Sequence, residues 1–506
     1  MINKNGNIIG VNKKLLYRRK TDEEVYQVLC SNKFVTIKNT SAQMFTFLIS
    51  DGIYTVDEIS TSANLKLEIV VKMIENLILL KFADYVSNFR SQYMPLKLSA
   101  STHLNSYEEN FFIMNFEEAT IDLLDYDEYH SFLNYEITRN MFQARKDYLI
   151  GRKYFNTHND KTLKQESMLN IYVVLSYNCN LSCSYCFEKD KELTNDHGSS
   201  NDYLKKLDSI SKFHNIILTL YGGEPLLEGN RQDIINLIDF TKNKLCLMRI
   251  ITNGICVPQF IEDFLKIKER IIEFVITIDG TKCVHDIRRF YKGGKGTFDD
   301  VMNSVIILNS LKFRVKIRIN LDENNLIHQI EFLHFLKKLE LDLQLIAIEY
   351  HRVENKTNLD FKPISLVKCY QLLKNIVLQN TGITINFAEP ILNFIYNASR
   401  DTLPSIQVKS CDLQNIVVID KNGKMNICNE AMHLKDFSIE KIHDSSELIN
   451  KYESKCSSCS LFYACFGGCS LKRYYFNEQG RYYCNRDEIQ KVLNNFMQDM
   501  PKLKYS

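Results

Sequence analysis

Between about Leu169 and Glu349 the chain alternates short apolar runs with amphipathic helical stretches, six times in succession. The runs are rich in β-branched residues and have the length of buried strands, and the stretches between them show helical spacing. Strands that are separated by helices lie parallel in one sheet, because each helical crossover returns the chain to the same edge. The pattern therefore predicts an α/β core, either an open sheet or a barrel. The predicted strands are Ile171–Ser176, Ile216–Tyr221, Met248–Thr252, Phe274–Ile278, Val315–Asn320 and Leu343–Glu349.

The composition is that of a compact and nearly neutral protein. The 506 residues include only 18 glycines and 7 prolines, and the formal charge is +2. The length suggests about three domains. A neutral chain lacks the basic excess of a nucleic-acid or membrane-surface protein. The N-terminus has no apolar signal core, and no stretch reaches the ~20 apolar residues of a membrane span. We therefore expect a cytosolic protein with neither a nucleic-acid nor a membrane partner.

The remaining chain falls into four segments. Residues 1–95 read as a winged-helix-like α+β module, with strands at Asn7–Val11, Val25–Cys30 and Phe34–Lys38 before three helical stretches. Residues 96–166 form a connecting region in which Phe111–Asp125 resembles a hairpin. Residues 361–410 look helical and bridging, and a cysteine-rich tail occupies 411–506.

Polar motifs follow four successive predicted strands. Sites of parallel α/β folds lie at the C-terminal ends of the strands, so we expect these motifs to meet at one edge. The motifs are Cys179-x3-Cys183-x2-Cys186, then Gly222-Gly223-Glu224-Pro225, then Thr252-Asn253-Gly254, and finally Thr277-Ile-Asp279-Gly280 with Arg289 downstream.

Fifteen cysteines in a cytosolic chain are not a disulfide framework, because the compartment is reducing. Three thiols within one loop select zinc or an iron–sulfur cluster. A closed zinc site needs a fourth protein ligand, whereas a four-iron cluster on three cysteines leaves one iron open to a small molecule. Five isolated cysteines are expected to be small buried hydrophobes. They are Cys30, Cys246, Cys256, Cys283 and Cys369.

The three-cysteine motif, together with the motifs after the next strands, resembles the radical S-adenosylmethionine (SAM) enzymes. The resemblance implies a partial (β/α)6 radical SAM barrel over 167–360 and a [4Fe-4S] cluster on Cys179, Cys183 and Cys186. It implies no catalytic residue beyond that cluster. The residues at cofactor-contact positions would be Tyr185, Gly222, Gly223, Glu224, Pro225, Asn253, Thr277, Asp279 and Arg289.

The tail resembles the SPASM domain of radical enzymes that modify peptides, which carries two auxiliary [4Fe-4S] clusters. The resemblance implies that the first auxiliary cluster uses Cys411, Cys428 and Cys469. The second would use Cys456, Cys459, Cys465 and Cys484. Three ligands leave the first cluster to be completed by Cys369, by a non-cysteine ligand or by substrate. Two departures disfavour sulfatase maturation. No cysteine lies between Cys369 and Cys411, and Asn429 stands where those maturases use an aspartate base.

The N-terminal module resembles the PqqD-like element that binds precursor leaders, here along Phe34–Lys38. Together the resemblances imply an oxygen-avoiding maturase of a ribosomal peptide that takes electrons from a reductant such as flavodoxin or ferredoxin. Thioether crosslinking, as in sactipeptide synthases, is the preferred outcome. The alternatives are carbon–carbon crosslinking or epimerisation, a protein or cofactor-peptide radical maturase, and a zinc-ribbon, winged-helix DNA-binding regulator.

Overall fold

The computed structural model divides into two compact units, residues 1–161 and 162–506. In the first unit the structure describes residues 8–11, 17–19, 25–30, 33–38, 54–55, 83–86, 97–98, 102–107, 110–116, 120–124, 132 and 155–156. In the second unit it describes residues 168–186, 201–212, 215–244, 246–354, 363–379, 382–400, 416–440, 456, 459, 461–465, 467–480 and 483–504.

The described residues of the first unit form four small antiparallel sheets. Their strands are β1 (Ile8–Val11), β2 (Tyr17–Arg19), β3 (Val25–Cys30), β4 (Lys33–Lys38), β5 (Tyr54–Thr55), β6 (Ala83–Val86), β7 (Lys97–Leu98), β8 (Thr102–Tyr107), β9 (Asn110–Asn115), β10 (Thr120–Leu124) and β11 (Phe155–Asn156). The sheets have the orders β5-β1-β6, β2-β3-β4, β10-β9-β8 and β11-β7. The three strands predicted before residue 40 are confirmed, and so is the hairpin in β9 and β10. The predicted helices of this module lie outside the described residues.

The second unit is built on one ten-stranded sheet. Its strands are β12 (Leu169–Val174), β13 (Ile216–Tyr221), β14 (Leu247–Thr252), β15 (Ile271–Thr277), β16 (Val315–Leu321), β17 (Ile346–Arg352), β18 (Thr384–Phe387), β19 (Ile416–Asp420), β20 (Met425–Asn426) and β21 (Ser438–Ile439). The order is β18-β17-β16-β15-β14-β13-β12-β19-β20-β21. The first eight strands in this order are mutually parallel, and β20 and β21 pair antiparallel. The predicted α/β core is confirmed.

Helices connect most of the parallel strands. Their bounds are α1 (Asn201–Ser211), α2 (Arg231–Lys244), α3 (Val257–Leu265), α4 (Lys282–Arg288), α5 (Phe298–Ser310), α6 (Gln329–Lys338), α7 (Leu366–Gln379), α8 (Pro390–Arg400), α9 (Phe462–Cys465), α10 (Ser470–Glu478) and α11 (Arg486–Lys504). None of the described helices combines the length and the apolar character that crossing a membrane requires.

The sheet is larger than the six strands predicted for residues 167–360. The segment 361–410 was expected to be helical, and it does hold α7 and α8, but between them β18 extends the sheet beside β17. On the opposite side, β19 of the cysteine-rich tail pairs with β12. The boundaries at 360 and 411 therefore cut through one sheet. A strand of four residues between two helices carries too few alternating positions to stand out in the sequence.

The last predicted strand also begins later than expected. Leu343–Leu345 forms a 3-10 turn instead of extended chain, and the strand starts at Ile346. The Asp342 side chain caps this turn by accepting a hydrogen bond from the Gln344 N–H at 3.3 Å. An acidic cap directly before an apolar run therefore delays the strand by three residues.

The two faces of the parallel sheet differ in polarity. On the outer face, residues such as Leu218, Ile250 and Ile317 are completely buried. The inner face carries alternating residues that are half-buried, among them Arg318 and Glu349. Because side chains alternate along a strand, a polar inner face and an apolar outer face follow from the same strands. The inner face and the C-terminal edge are therefore where chemistry can occur.

Candidate active site

The three predicted cysteines leave β12 on one short loop at the C-terminal edge of the sheet. Cys183 is buried, whereas Cys179 and Cys186 are half-buried. Main-chain bonds fasten the loop, since Ser182 N–H donates to the Phe290 carbonyl and Ser184 N–H to the Arg288 carbonyl, both at 2.9 Å. The segment after α4 thus fixes the loop that carries the thiols.

The sulfur of Cys179 accepts weak hydrogen bonds from Leu181 N–H at 3.5 Å and from the Asn253 side chain at 3.8 Å. Burial raises the pKa of the Cys179 thiol to about 11. The thiol is therefore protonated at neutral pH, and binding a metal centre must displace that proton.

The turn after β13 packs against the backbone that leads into this loop. Gly222 has a φ of 133°, and a Cβ on it would lie 2.3 Å from the Ser176 carbonyl oxygen. A Cβ on Gly223 would lie 2.3 Å from the Tyr177 carbonyl oxygen and 2.4 Å from that of Asn178. The resemblance places Gly222 and Gly223 among the cofactor-contact positions. In the structure, the backbone they allow to approach is that of the cysteine loop.

Glu224 is completely buried and binds three donors of its own chain. Its Oε1 accepts from Thr252 Oγ1 at 2.7 Å and from Leu226 N–H at 2.9 Å, and its Oε2 accepts from Asn253 N–H at 2.7 Å. Burial raises the pKa of this carboxyl, although the three donors oppose the shift. The resemblance places this carboxylate at a cofactor-contact position. The structure shows in addition that it joins the ends of β13 and β14.

Asn253 continues the same network toward the cysteines. Its side-chain Nδ2 donates to Asn180 Oδ1 at 2.7 Å, and Asn180 lies directly after Cys179. Its Oδ1 accepts from Ile255 N–H at 3.0 Å. The motifs that follow β12, β13 and β14 are therefore hydrogen-bonded to one another.

Tyr185 and Arg289 lie in direct contact beside the cysteine loop. Arg289 Nη1 donates to the Tyr185 hydroxyl at 2.9 Å, and the same hydroxyl accepts from Asn320 Nδ2 at 3.0 Å. Arg289 is 7% exposed, and its Nε has no hydrogen-bond partner. No carboxylate of the described residues forms an ion pair with it. A buried guanidinium that lacks a carboxylate is a site where an anionic group binds favourably.

Asp279 is paired within the protein. This completely buried carboxylate lies 3.1 Å from Arg288 Nε and also accepts from Asn320 N–H at 3.1 Å. Its own N–H donates to His285 Nδ1 at 3.3 Å, and burial lowers the pKa of His285 to about 3. The aspartate and the neutral histidine therefore hold the loop after β15. Thr277, at the end of that strand, is half-buried.

The residues at this edge fit the cofactors that the motifs imply. Three sulfur donors on one loop suit an iron–sulfur cluster, which prefers thiolate ligands. The unpaired Arg289 beside Tyr185 suits an anionic or ribose-bearing ligand next to that cluster. Among the described residues, no three Cys, His, Asp or Glu side chains converge closely enough to hold a single metal ion.

Four cysteines of the tail lie close together. Cys456, Cys459 and Cys484 all act electrostatically on Cys465, whose pKa is raised to about 11, chiefly by burial. Arg473 Nη2 lies 3.3 Å from Cys456 Sγ, and Arg486 N–H donates to Cys484 Sγ at 3.4 Å. These four are the cysteines assigned to the second auxiliary cluster, and their proximity fits one shared centre.

The other predicted set is only partly visible. Cys428 is buried near Tyr475, and Cys469 directly precedes α10. Cys411 lies outside the described residues, so the assignment of this set stays a prediction.

The isolated cysteines follow the expectation in three cases. Cys246, Cys256 and Cys369 are buried, and Cys369 is fully enclosed within α7. The expectation is wrong for Cys283, which is exposed in the first turn of α4. Residues two positions apart point to different sides of a helix, so Cys283 lies on the side of α4 away from the buried His285. The side chain of Cys30 lies outside the described residues.

Sequence reasoning missed three residues of the site. Arg288 pairs with Asp279, while Asn180 and Asn320 connect the loops. Asn320 ends a predicted strand, and polarity at that position is a signal that could have found it. Arg288 and Asn180 are identified only by the contacts they make.

Comparison with known proteins agrees with this geometry. Residues 173–336 match the model of the Radical SAM superfamily. A cysteine-type anaerobic sulfatase-maturating enzyme of Clostridium novyi (strain NT) is 26% identical over 329 residues, which are 58% of this chain and 85% of that protein. The antilisterial bacteriocin subtilosin biosynthesis protein AlbA of Bacillus subtilis (strain 168) is 24% identical over 184 residues, 36% of this chain and 38% of that protein.

Among solved structures, anSMEcpe with bound AdoMet superposes with a TM-score of 0.52 at 17% identity, covering 67% of this chain and 98% of that one. This likeness concerns the fold. The match over 173–336, together with the strand-end geometry, assigns this segment to the Radical SAM superfamily, and the chain is similar to enzymes of sulfatase maturation and bacteriocin biosynthesis.

Proposed function

We propose that this enzyme modifies a ribosomally made precursor peptide and installs cysteine thioether crosslinks. The proposal is supported chiefly by the hydrogen bonds that connect the first three strand-end motifs to one another. Asn253 binds both Glu224 and Asn180, and so connects the Gly-Gly-Glu-Pro turn to the cysteine loop. One preformed edge of the sheet thus offers sulfur ligands and polar groups side by side.

Each residue at this edge has a distinct part in the proposal. Cys179, Cys183 and Cys186 hold a [4Fe-4S] cluster, which when bound with SAM supplies the 5′-deoxyadenosyl radical. Arg289 and Tyr185 orient the cofactor through the guanidinium and the ring. Gly222 and Gly223 keep the turn tight against the cysteine loop, while Glu224 holds that turn to β14.

The tail holds the auxiliary clusters of a SPASM domain. Cys456, Cys459, Cys465 and Cys484 are the ligands of one cluster, supported by their mutual proximity. Cys411, Cys428 and Cys469 are the ligands of the other. Arg473 lies beside the set that contains Cys456 and places a positive charge next to the sulfur atom of that cysteine.

The N-terminal unit is proposed to bind the leader of the precursor. Among the described strands, β4 pairs with β3 alone and so stands at the edge of the sheet β2-β3-β4. An edge strand presents unpaired main-chain groups to which an extended peptide can add.

Sulfatase maturation is disfavoured although such enzymes are among the relatives. Asn429 follows Cys428, and an amide cannot accept a proton as the aspartate of those maturases does. A peptide of the sulfatase type is therefore a suitable negative substrate.

Two measurements test the proposal in sequence. The anaerobically reconstituted enzyme should absorb at about 400 nm and should bind about twelve iron atoms per chain, four for each of three clusters. It should also cleave SAM to 5′-deoxyadenosine when dithionite is added. A colourless enzyme that holds zinc would contradict the proposal.

The enzyme is then incubated with the cysteine-containing peptides encoded by short reading frames beside its gene. A thioether removes two hydrogens per crosslink and protects the cysteine from alkylation, and both changes are visible by mass spectrometry. A product of unchanged mass that takes up solvent deuterium would indicate epimerisation. Loss of two hydrogens with all thiols free would indicate a carbon–carbon crosslink.

A further inference from the structure

A chain of alternating charges crosses the inner face of the sheet and is not used by the cofactor site. Arg249 of β14 lies 2.8 Å from Glu273 of β15, and Glu273 lies 3.2 Å from Lys316 of β16. Lys316 lies 3.6 Å from Glu349 of β17, which also contacts Arg318 at 3.4 Å. The chain of charges therefore ends at β17 with a carboxylate between two cations.

His351 completes this chain at the C-terminal end of β17. Its Nε2 lies 2.6 Å from Glu349 Oε2, so the ring donates Nε2–H to the carboxylate. Its Nδ1 has no hydrogen-bond partner among the described residues, and the side chain is 31% exposed. A histidine held in this way offers its free nitrogen as a proton acceptor.

Register places His351 one strand away from the cofactor site. His351 is the strand neighbour of Asn320, and Asn320 Nδ2 contacts the Tyr185 hydroxyl at 3.0 Å. Neighbouring strands are about 4.8 Å apart, so His351 lies one strand away from the residue that contacts the cysteine loop.

The surrounding charges keep the pair in the protonation state that a base needs. Burial, and then the cation Arg318, lower the pKa of His351, although Glu349 opposes them. Burial opposes the charge of Glu349. Its pKa is nevertheless held well below the usual range by His351, Arg318 and Lys316. The imidazole is therefore neutral and the carboxylate charged at neutral pH.

We propose that His351, oriented by Glu349, is the base that deprotonates the substrate cysteine. The inference rests on the proposed function, because it requires a thiol substrate. The thiol S–H bond breaks and its proton moves to His351 Nδ1, leaving a thiolate and an imidazolium, so that charge is conserved. Glu349 accepts the hydrogen bond of that imidazolium. Asn429, which cannot act as a base, leaves this part of the reaction to another residue.

The test compares pH profiles of thioether formation, each normalised to 5′-deoxyadenosine produced. The wild-type enzyme should give a profile that is flat from about pH 7 to 8.5, because its base is already neutral. His351→Gln should reduce the rate at pH 7 by about 10²–10⁴-fold. Its rate should then rise about tenfold per pH unit toward the ordinary cysteine pKa of about 8.5, as the thiol ionises by itself. His334→Gln, an exposed substitution on α6, is the matched control.

A second measurement does not depend on turnover. In the reconstituted wild-type enzyme labelled with carbon-13 histidine, His351 should be neutral at pH 7 with the proton on Nε2. Its signal is assigned by comparison with His351→Gln. A doubly protonated His351 at pH 7 would overturn the inference.

The outcomes separate the two proposals. If the wild type forms a thioether and His351→Gln follows the same pH profile at the same rate, His351 is not the base and the proposed function stands. If the wild type cleaves SAM but forms no thioether from any of the peptides, the proposed function is wrong, and so is the inference that depends on it.

Discussion

The carboxylate of Glu224 binds the main-chain N–H of Asn253 at 2.7 Å, across the gap between two neighbouring strand ends. The same carboxylate takes the Thr252 hydroxyl and the Leu226 N–H, and it is fully enclosed. A buried carboxylate with three donors holds its surroundings in one arrangement. The position of Asn253 against the cysteine loop therefore depends on Glu224.

Replacing Glu224 by Gln should loosen this arrangement. One carboxylate oxygen becomes an NH₂ group, which faces a donor and leaves a buried N–H unsatisfied at a cost of about 1–3 kcal/mol. We expect a lower midpoint of denaturant unfolding and weaker SAM binding by calorimetry. Unchanged values of both would show that the carboxylate does not organise the edge.

Gly223 tests the close approach of the turn to the cysteine loop. In Gly223→Ala the new methyl group would meet the carbonyl oxygens of Tyr177 and Asn178 at 2.3 and 2.4 Å, so the loop must move. Overpacking of this kind costs about 1–3 kcal/mol, and we expect reduced iron incorporation at Cys179, Cys183 and Cys186. Gly229→Ala is the matched control, because nothing lies within 4 Å of its added Cβ. Equal iron content in the two variants would refute the prediction.

Arg473 should set the reduction potential of the neighbouring cluster. Its guanidinium lies 3.3 Å from Cys456 Sγ, and a cation or hydrogen bond at sulfur favours the reduced state. Arg473→Gln should therefore shift one potential to a more negative value in a titration followed by electron paramagnetic resonance. The potential of the SAM-binding cluster serves as the internal reference and should stay constant. A uniform shift of all clusters, or none, would contradict the assignment.

Removing residues 1–95 should separate radical generation from peptide recognition. The second unit has its own sheet, so SAM cleavage should persist, while modification of a leader-bearing precursor should be lost. Addition of the isolated leader should inhibit the full chain and have no effect on the truncated one. Normal modification by the truncated enzyme would place leader recognition elsewhere.

The sequence predicted the parallel core and the edge at which its motifs meet, because strand periodicity and strand-end polarity are local signals. It did not predict that β18 and β19 flank the six strands, since pairing between distant segments leaves no local mark. The sequence also assigned Glu224 to a ligand. In the structure, most of the hydrogen-bonding capacity of its carboxylate is used by Thr252, Leu226 and Asn253. The proximity of His351 to Asn320 comes from register, which is a property of two strands together.

The central claim is that the loop after β12 carries the radical-generating cluster, and the triple variant of Cys179, Cys183 and Cys186 to alanine tests it most directly. The measurement is 5′-deoxyadenosine formed from SAM and dithionite under anaerobic conditions, with iron counted in the same samples. We predict no 5′-deoxyadenosine and a fall from about twelve to about eight iron atoms per chain, whereas alanine at the exposed Cys283 should change neither value. SAM cleavage by the triple variant at the wild-type rate would contradict the claim.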